Sequence, residues 1–318
     1  MTAAPAWIVG AGGLLGSSVA RRFARWTPAP ARFSWDSPAA LESELRSAAE
    51  AYLQGSEGPW TVLWCAGDGV VGTPAEAMAR ETRALEVVLD RLGAAAGTRP
   101  GVFFLASTAG GLYSGSRQIP ITEETPVEPI SDYGRAKLRQ EEMLASWASS
   151  RPTVSTFVGR LSNLYGPDQN LAKPQGLIAN LSRCLLHHVP AHVFAPLDTF
   201  RDYLYAPDVA DLILSGVERL RRPPPPVRVT KILASGHTSS IAGILGIFSR
   251  IAKRQPRIVC SASPLSTLQP VRLPLRSIVW ADLPVPPATP LPSGIQSVVR
   301  RHLELFQAGR LPVPTPRS

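Results

Sequence analysis

Short apolar runs alternate with stretches of helical period through the first half of the chain. Ala6-Trp7-Ile8-Val9 is a continuous apolar run of strand length, and Ser17 to Phe23 carries apolar positions at helical spacing. Ala31-Arg32-Phe33-Ser34-Trp35 reads as a second strand, followed by a helix over about residues 37–53. Trp60-Thr61-Val62-Leu63-Trp64-Cys65 is a third apolar run, and residues 74–96 form a long helical stretch. Gly101-Val102-Phe103-Phe104-Leu105-Ala106 lacks polar alternation, which predicts a strand covered on both faces. A helix over about 131–149 and a strand over 153–158 continue the series. Strands alternating with helices across glycine turns predict an α/β fold, a doubly wound parallel sheet.

Beyond residue 167 the pattern loosens. Pro223 to Pro226 connects to a strand over Val227 to Leu233, residues 261–293 are proline-rich, and a last helix covers about 293–307. The expected division is a first unit over 1–168, to which 207–235 return, and a smaller α/β part over 169–206 and 236–312. Residues 313–318 are a tail.

The first strand runs directly into Gly10-Ala11-Gly12-Gly13-Leu14-Leu15-Gly16 and then into a helix. Glycines at 10, 13 and 16 permit a tight turn, close approach to a pyrophosphate and close helix–strand packing, as in a Rossmann unit. The helix N-terminus that follows presents free N–H groups to phosphate. Gly10, Gly12, Gly13, Leu14, Leu15 and Gly16 are the candidate cofactor contacts here, with Cys65, Ala66 and Gly67 beyond the third strand. Asp36 is the candidate acceptor for the adenosine ribose hydroxyls, which favours NAD; Arg32 lies nearby and leaves NADP open.

Tyr133 and Lys137 stand four residues apart in Ser131-Asp132-Tyr133-Gly134-Arg135-Ala136-Lys137, so a helix places both on one face. A phenol with a pKa of about 10 is a poor base at neutral pH, and a cation beside it favours the phenolate. Lysine is scarce: Lys137, Lys173, Lys231 and Lys253 are the only ones among 33 basic residues, which singles out Lys137. The strand at 101–106 ends in Ser107-Thr108-Ala109-Gly110-Gly111. Reacting groups in a parallel sheet lie beyond the carboxyl ends of its strands, so either hydroxyl is a candidate to hold a substrate oxygen beside the tyrosine.

A length of 318 residues allows a large core, and 44% hydrophobic with 18% charged residues describes a globular chain. The net charge of +9 raises the question of nucleic acid, but the arginines are scattered without a basic run interleaved by aromatics, so nucleic-acid binding is not expected. The excess suits an anionic small molecule instead. Cys65, Cys184 and Cys260 are odd in number and far apart, which fits reduced thiols in a cytoplasmic protein. His188 and His192 are separated by Pro190, and no metal site is expected. The N-terminus enters a strand without a leader pattern, and no apolar run is long enough for a membrane span.

Together these landmarks resemble the extended short-chain dehydrogenase/reductase superfamily, in its branch of NAD-dependent epimerases and dehydratases. The G-x-x-G-x-x-G loop corresponds to Gly10, Gly13 and Gly16, and the Ser/Thr, Tyr and Lys set to Thr108 or Ser107, Tyr133 and Lys137. Ile121-Thr122-Glu123-Glu124-Thr125-Pro126 is similar to that family's approach to its catalytic helix. Gly159-Arg160-Leu161-Ser162-Asn163-Leu164-Tyr165-Gly166-Pro167 resembles its R-x-x-N-x-Y-G-P segment, and Phe200 to Ala210 its R-D-Y segment. The resemblance implies an enzyme that moves a hydride at a carbon of a nucleotide sugar, and it assigns the dinucleotide to the first unit, 1–168, and substrate to the smaller part. Tyr133 would serve as acid and base, Lys137 would lower its pKa and hold the nicotinamide ribose, and Asn163, Tyr165 and Arg201 would contact substrate. A homodimer is expected.

Ala109 and Gly110 stand where a dehydratase of this family carries acidic residues, so dehydration is disfavoured. The position of the family's usual hydroxyl is Ala109, which leaves Ser107 and Thr108 both open, and no R-x-G-D segment is evident in the C-terminal part. An epimerase is the first reading. A reductase of a keto-sugar or another carbonyl compound needs the same catalytic set, and a non-catalytic dinucleotide sensor is the third reading.

Overall fold

The computed structural model describes residues 5–23, 33–55, 57–171, 176–222, 226–261, 268, 270–283 and 288–314. Its centre is a five-stranded parallel sheet whose apolar runs leave almost no side chain exposed. The strands are β1 (Ala6–Val9), β2 (Trp60–Trp64), β3 (Gly101–Thr108), β4 (Val154–Leu161) and, after three strands of the second part, β8 (Arg228–Leu233). They lie in the order β1-β2-β3-β4-β8, with Trp7 opposite Val62, Val62 opposite Phe103 and Phe104 opposite Phe157.

Helices cover both faces. Helices α1 (Leu14–Arg22) and α7 (Ala206–Leu220) pack on one face over Ile8, Leu63, Phe104 and Phe157. Helices α2 (Pro38–Gln54), α3 (Ala75–Ala95) and α5 (Asp132–Ser149) cover the other, over Trp7, Val62, Trp64 and Phe103. A single turn, α4 (Ala109–Leu112), follows β3 directly. Burying each large apolar side chain in these layers contributes about 1.5–3 kcal/mol. The expected α/β class and doubly wound parallel sheet are thus those of the structure.

One element departs from the expectation. Phe33 to Trp35 are not a strand; Ala31 and Arg32 lie outside the described residues. The Ser34 backbone N–H and hydroxyl both donate to the Glu44 carboxylate on α2, each at 2.7 Å, and the Trp35 N–H donates to the Phe33 carbonyl. These bonds tie the segment to the side of α2 and lead it into the turn before that helix, instead of laying it beside β1.

The second part has its own core. Strands β5 (Asn163–Tyr165), β7 (Phe200–Tyr205) and β9 (Thr238–Ser240) form one small sheet, with β7 between the others. Strands β6 (Ala191–Val193) and β10 (Ile258–Cys260) pair in parallel. Helices α6 (Leu177–Leu186), α8 (Ile241–Ala252) and α9 (Leu291–Gln307) pack around Tyr165, Leu181, Phe248, Ile295 and Val298. α7 and β8 lead the chain back onto the main sheet before α8 begins. His302 is fully buried on α9 with neither ring nitrogen hydrogen-bonded. Burial, aided by Arg183 and Arg301, pulls its pKa down to about 4 and keeps it neutral. Among the described residues no helix is long and apolar enough to cross a membrane, and no group of side chains could hold a metal ion.

Candidate active site

The carboxyl ends of β1, β2, β3 and β4 open onto one edge of the sheet, and the predicted site residues gather there. Gly10 follows β1 with φ +89°, and a Cβ on it would stand 2.6 Å from the Ala66 backbone nitrogen after β2. Gly16 lies so close beneath the turn that its Cβ would come within 2.1 Å of the Gly10 carbonyl oxygen. The turn is closed by the Gly13 N–H donating to the Gly10 carbonyl at 2.9 Å, and α1 starts at Leu14 with no acidic residue in its first turn. Its free N–H groups therefore face the cleft with no acidic side chain of that first turn beside them. Leu15 is core, whereas Leu14 reaches across to Gly166. Cys65 continues the β1–β2 ladder by donating to the Val9 carbonyl, and Gly67 is exposed in the loop beyond.

Strand alternation separates the two candidate hydroxyls. Ser107 points towards α5, where its Oγ donates to Glu141 Oε1 at 2.5 Å. Thr108 points the other way and hydrogen-bonds with Tyr133 while its Oγ1 accepts from the Gly111 N–H at 3.1 Å. The Ser131 side chain caps α5 by accepting from the Gly134 N–H, which puts Tyr133 in the first turn. Its ring lies between two glycines, with Gly69 and Gly111 each leaving only 3.0 Å between a would-be Cβ and ring carbons.

Lys137 follows one turn later on the same face and is buried. Its ammonium donates to Glu81 Oε1 on α3 at 2.5 Å and to Gln140 Oε1 at 3.1 Å. Burial pulls the lysine pKa down, but Glu81 and the Tyr133 oxygen more than offset it, so the group stays above its usual value and charged. For Tyr133 burial is the largest influence and pushes the phenol up; Lys137 and the Thr108 hydrogen bond pull down, Glu81 pushes up, and the net shift is upward. Glu81 was not among the residues the sequence singled out.

Behind Ser107, Arg160 of β4 makes a two-pronged contact with Glu141, Nε at 3.1 Å and Nη2 at 2.7 Å, and its Nη1 donates to the Tyr113 hydroxyl at 2.6 Å. All three side chains are buried. Asn163 Nδ2 donates to the Asp202 carbonyl at 3.0 Å. Arg201 Nη1 donates to the carbonyls of Phe200 and Pro270, both at 2.8 Å. Asn163 lies opposite Tyr203, two residues from Arg201, so both belong to one face of the second sheet. Tyr165 is different: it is buried in the second core, its ring tilted against Tyr205 at 5.4 Å between centroids and pressed against Gly294 of α9. Asp36 sits in the exposed turn before α2.

Known structures share the whole architecture. UDP-glucose 4-epimerase of Thermotoga maritima, solved with UDP-glucose, superposes with a TM-score of 0.77 over 95% of this chain and 99% of that one, at 19% identity. UDP-glucose 4-epimerase of Thermus thermophilus, in complex with NAD, gives 0.72 over 93% and 98%, at 18% identity. At these identities the likeness is one of fold. Among curated proteins, dTDP-L-rhamnose 4-epimerase of Burkholderia thailandensis is 32% identical over 128 residues, 40% of this chain and 34% of the relative. A reductase, dTDP-4-dehydro-6-deoxyglucose reductase of Escherichia coli, is 26% identical over 112 residues, again about a third of each chain. The chain thus spans about a third of the length of the curated relatives it matches. The profile of one family covers residues 6–229, and with it the glycine loop, Thr108, Tyr133, Lys137 and the Arg201 strand. The chain belongs to the NAD dependent epimerase/dehydratase family.

Proposed function

We propose that this protein is an NAD-dependent epimerase that inverts a carbon of a nucleotide sugar. The observation that carries the reading is the meeting of Tyr133, Thr108 and Lys137 at the carboxyl edge of the sheet, next to the Gly10–Gly16 turn. That turn suits NAD: a glycine backbone that another backbone crosses at contact distance, leading into an open helix N-terminus. Bound NAD supplies a reversible hydride acceptor. Tyr133 takes the proton from the substrate hydroxyl as that carbon is oxidised and gives it back on reduction. Thr108 orients the substrate oxygen, and Ser107, already bound to Glu141, supports α5 rather than substrate. Lys137 holds a positive charge beneath the phenol, and ribose hydroxyls are suitable acceptors for its remaining proton.

Asn163 and Arg201, on one face of the second sheet, are assigned the substrate's phosphates, for which a guanidinium has the matching fork of donors. Tyr165 shapes the core beneath them. The part built on α6, α8 and α9 is therefore the substrate-binding part. Ala109 and Gly110 offer no second acid or base, which supports epimerisation over dehydration.

Mass spectrometry of nucleotide released from the denatured, purified protein tests this reading. Stoichiometric NAD is expected, because an epimerase keeps its cofactor through both hydride transfers. A protein that arrives empty and binds neither NAD nor NADP would sink it. We further infer a homodimer through α3 and α5, supported by a shallow groove of about 640 Å³ with Met78, Ala79, Leu138 and Met143 along it and Arg83, Glu86, Arg135 and Glu142 among its lining. Mixed charges around an apolar strip suit a self-complementary contact. Light scattering that gives only the 34.1 kDa of one chain would reject it. Three cysteines, none in a disulfide, support a cytoplasmic location, which cell fractionation would check.

A further inference from the structure

Glu81 is an acidic side chain on the apolar stripe of α3, between Met78 and Leu85, and it is 6% exposed. Its Oε1 accepts from Lys137 Nζ at 2.5 Å and from Gln140 Nε2 at 3.2 Å. Gln140 also donates to Thr82 Oγ1 and accepts from Lys137, so the four side chains close one buried network. The carboxylate is wedged against the loop after β2 as well: a Cβ on Gly67 would stand 2.9 Å from Oε1 and 3.0 Å from Oε2. Glu81 thus lies between the cofactor-side loop and the lysine, and only a residue without a side chain fits at Gly67.

We propose that Glu81 is a positioning residue of this active site, clamping the Lys137 ammonium and opposing its field at Tyr133, so that the phenol rests as a proton donor rather than as a base. The inference rests on Tyr133 being the proton-transfer group. Removing an ion from water is costly, and Glu81 supplies the buried ammonium with its counter-charge. The same carboxylate makes the pair neutral overall, so the pull of Lys137 on Tyr133, the larger of the two effects, is partly opposed by the anion bound to it. Groups facing Tyr133 from every packed element agree with this balance: Thr108 from β3, Lys137 from α5 and Glu81 from α3. Burial is the largest influence keeping the phenol neutral, and Glu81 adds to it.

The consequence is directional. In a site with the lysine alone, the resting tyrosine leans towards phenolate. Here the phenol keeps its proton until substrate and cofactor rearrange the hydrogen bonds of the lysine; that proton then leaves to solvent, and the phenolate can take one from the substrate hydroxyl. Ribose hydroxyls that accept from Lys137 Nζ would compete with Glu81 for the ammonium, which links cofactor occupancy to the readiness of Tyr133 to accept a proton.

The test reads the tyrosine directly and needs no substrate. Protein carrying tyrosine labelled with 13C at Cζ is titrated by NMR, with the Tyr133 resonance identified by its loss in Tyr133→Phe. In the wild type the midpoint is expected above the ordinary phenol value of about 10. Glu81→Gln keeps the size and the hydrogen-bonding reach but removes the charge, and is expected to raise the acidity of Tyr133 by about tenfold. Glu81→Asp keeps the charge and is expected to stay nearer the wild type than Glu81→Gln does. An unchanged or higher midpoint in Glu81→Gln overturns the proposal, because a purely structural role would not depend on the charge. A wild-type midpoint below about 9 overturns it even if the variant fails to fold. A shifted midpoint in a protein without epimerase activity would leave this inference standing and remove the proposed function instead.

Discussion

Tyr133→Phe is expected to lower kcat for epimerisation by at least about 10²–10⁴, the usual worth of a positioned acid–base group, while bound NAD stays near the wild-type amount. The two halves of that expectation come from different parts of the site. The ring is gripped between Gly69 and Gly111, and phenylalanine fills the same slot, so α5 and the capping by Ser131 remain in place. Thr108 keeps its bond from the Gly111 N–H, which leaves no new buried polar atom without a partner there. What disappears is the one hydroxyl that stands between Thr108 and the lysine network. The cofactor, by contrast, is held chiefly by the Gly10–Gly16 turn and the start of α1, at the carboxyl end of β1. Turnover of UDP- and dTDP-hexoses with parallel mass spectrometry of released nucleotide separates the two effects. A variant that retains activity within tenfold of the wild type would rule out Tyr133 as the proton-transfer group.

Much of this site was legible because its parts are continuous in sequence. The glycine turn is a strand end and a helix start with nothing between, and Tyr133 and Lys137 are one helical turn apart. The sheet was legible for a related reason: β1, β2 and β3 are largely apolar without alternation, which only a doubly covered strand tolerates. In its described part, residues 33–35, the expected strand failed where side-chain chemistry overruled pattern, since Ser34 finds the Glu44 carboxylate ten residues on. The choice between Ser107 and Thr108 depended on strand phase. Adjacent residues point to opposite faces, and the sequence alone does not say which face carries α5 in contact with Ser107.

Glu81 and Glu141 were missed for another reason. A glutamate in a helix is ordinary surface composition, and their partners lie 56 and 19 residues away in the chain. A usable signal was nonetheless present. Glu81 falls between Met78 and Leu85 on the buried stripe of α3, and Glu141 lies one turn from both Lys137 and Leu144 on that of α5. A charge on an apolar stripe must find a buried partner, so such a position points to an ion pair before any coordinates are known. Tyr165 shows the converse: a polar tip within a motif drew a substrate role, but the aromatic body belongs to the second core.

Breaking the pair behind Ser107 is expected to be the most damaging single change to stability. Glu141 is 8% and Arg160 9% exposed, and the guanidinium is joined to its carboxylate by a fork at 3.1 and 2.7 Å. Burial alone would push the guanidinium pKa down; Glu141 and then Tyr113 outweigh it and the group is held above its usual value. Glu141→Leu removes one partner and strands a cation between β4 and α5, a situation that costs about 3–5 kcal/mol. The Ser107 hydroxyl loses its acceptor at the same moment. Glu141→Leu combined with Arg160→Met is expected to recover most of that loss, because two matched apolar side chains remove the desolvation penalty together with the attraction. Urea unfolding of the two variants against wild type checks this, with equal midpoints for the single and double variants as the result that would refute it. The distinction matters for the site as well. Glu141 stands four residues after Lys137 on α5, and Ser107 precedes Thr108 on β3, so this pair ties together the two elements that bring the threonine to the tyrosine. If the double variant folds as stably as wild type yet turns over more slowly, the ion pair contributes mainly to the alignment of Thr108 with Tyr133 rather than to the stability of the sheet.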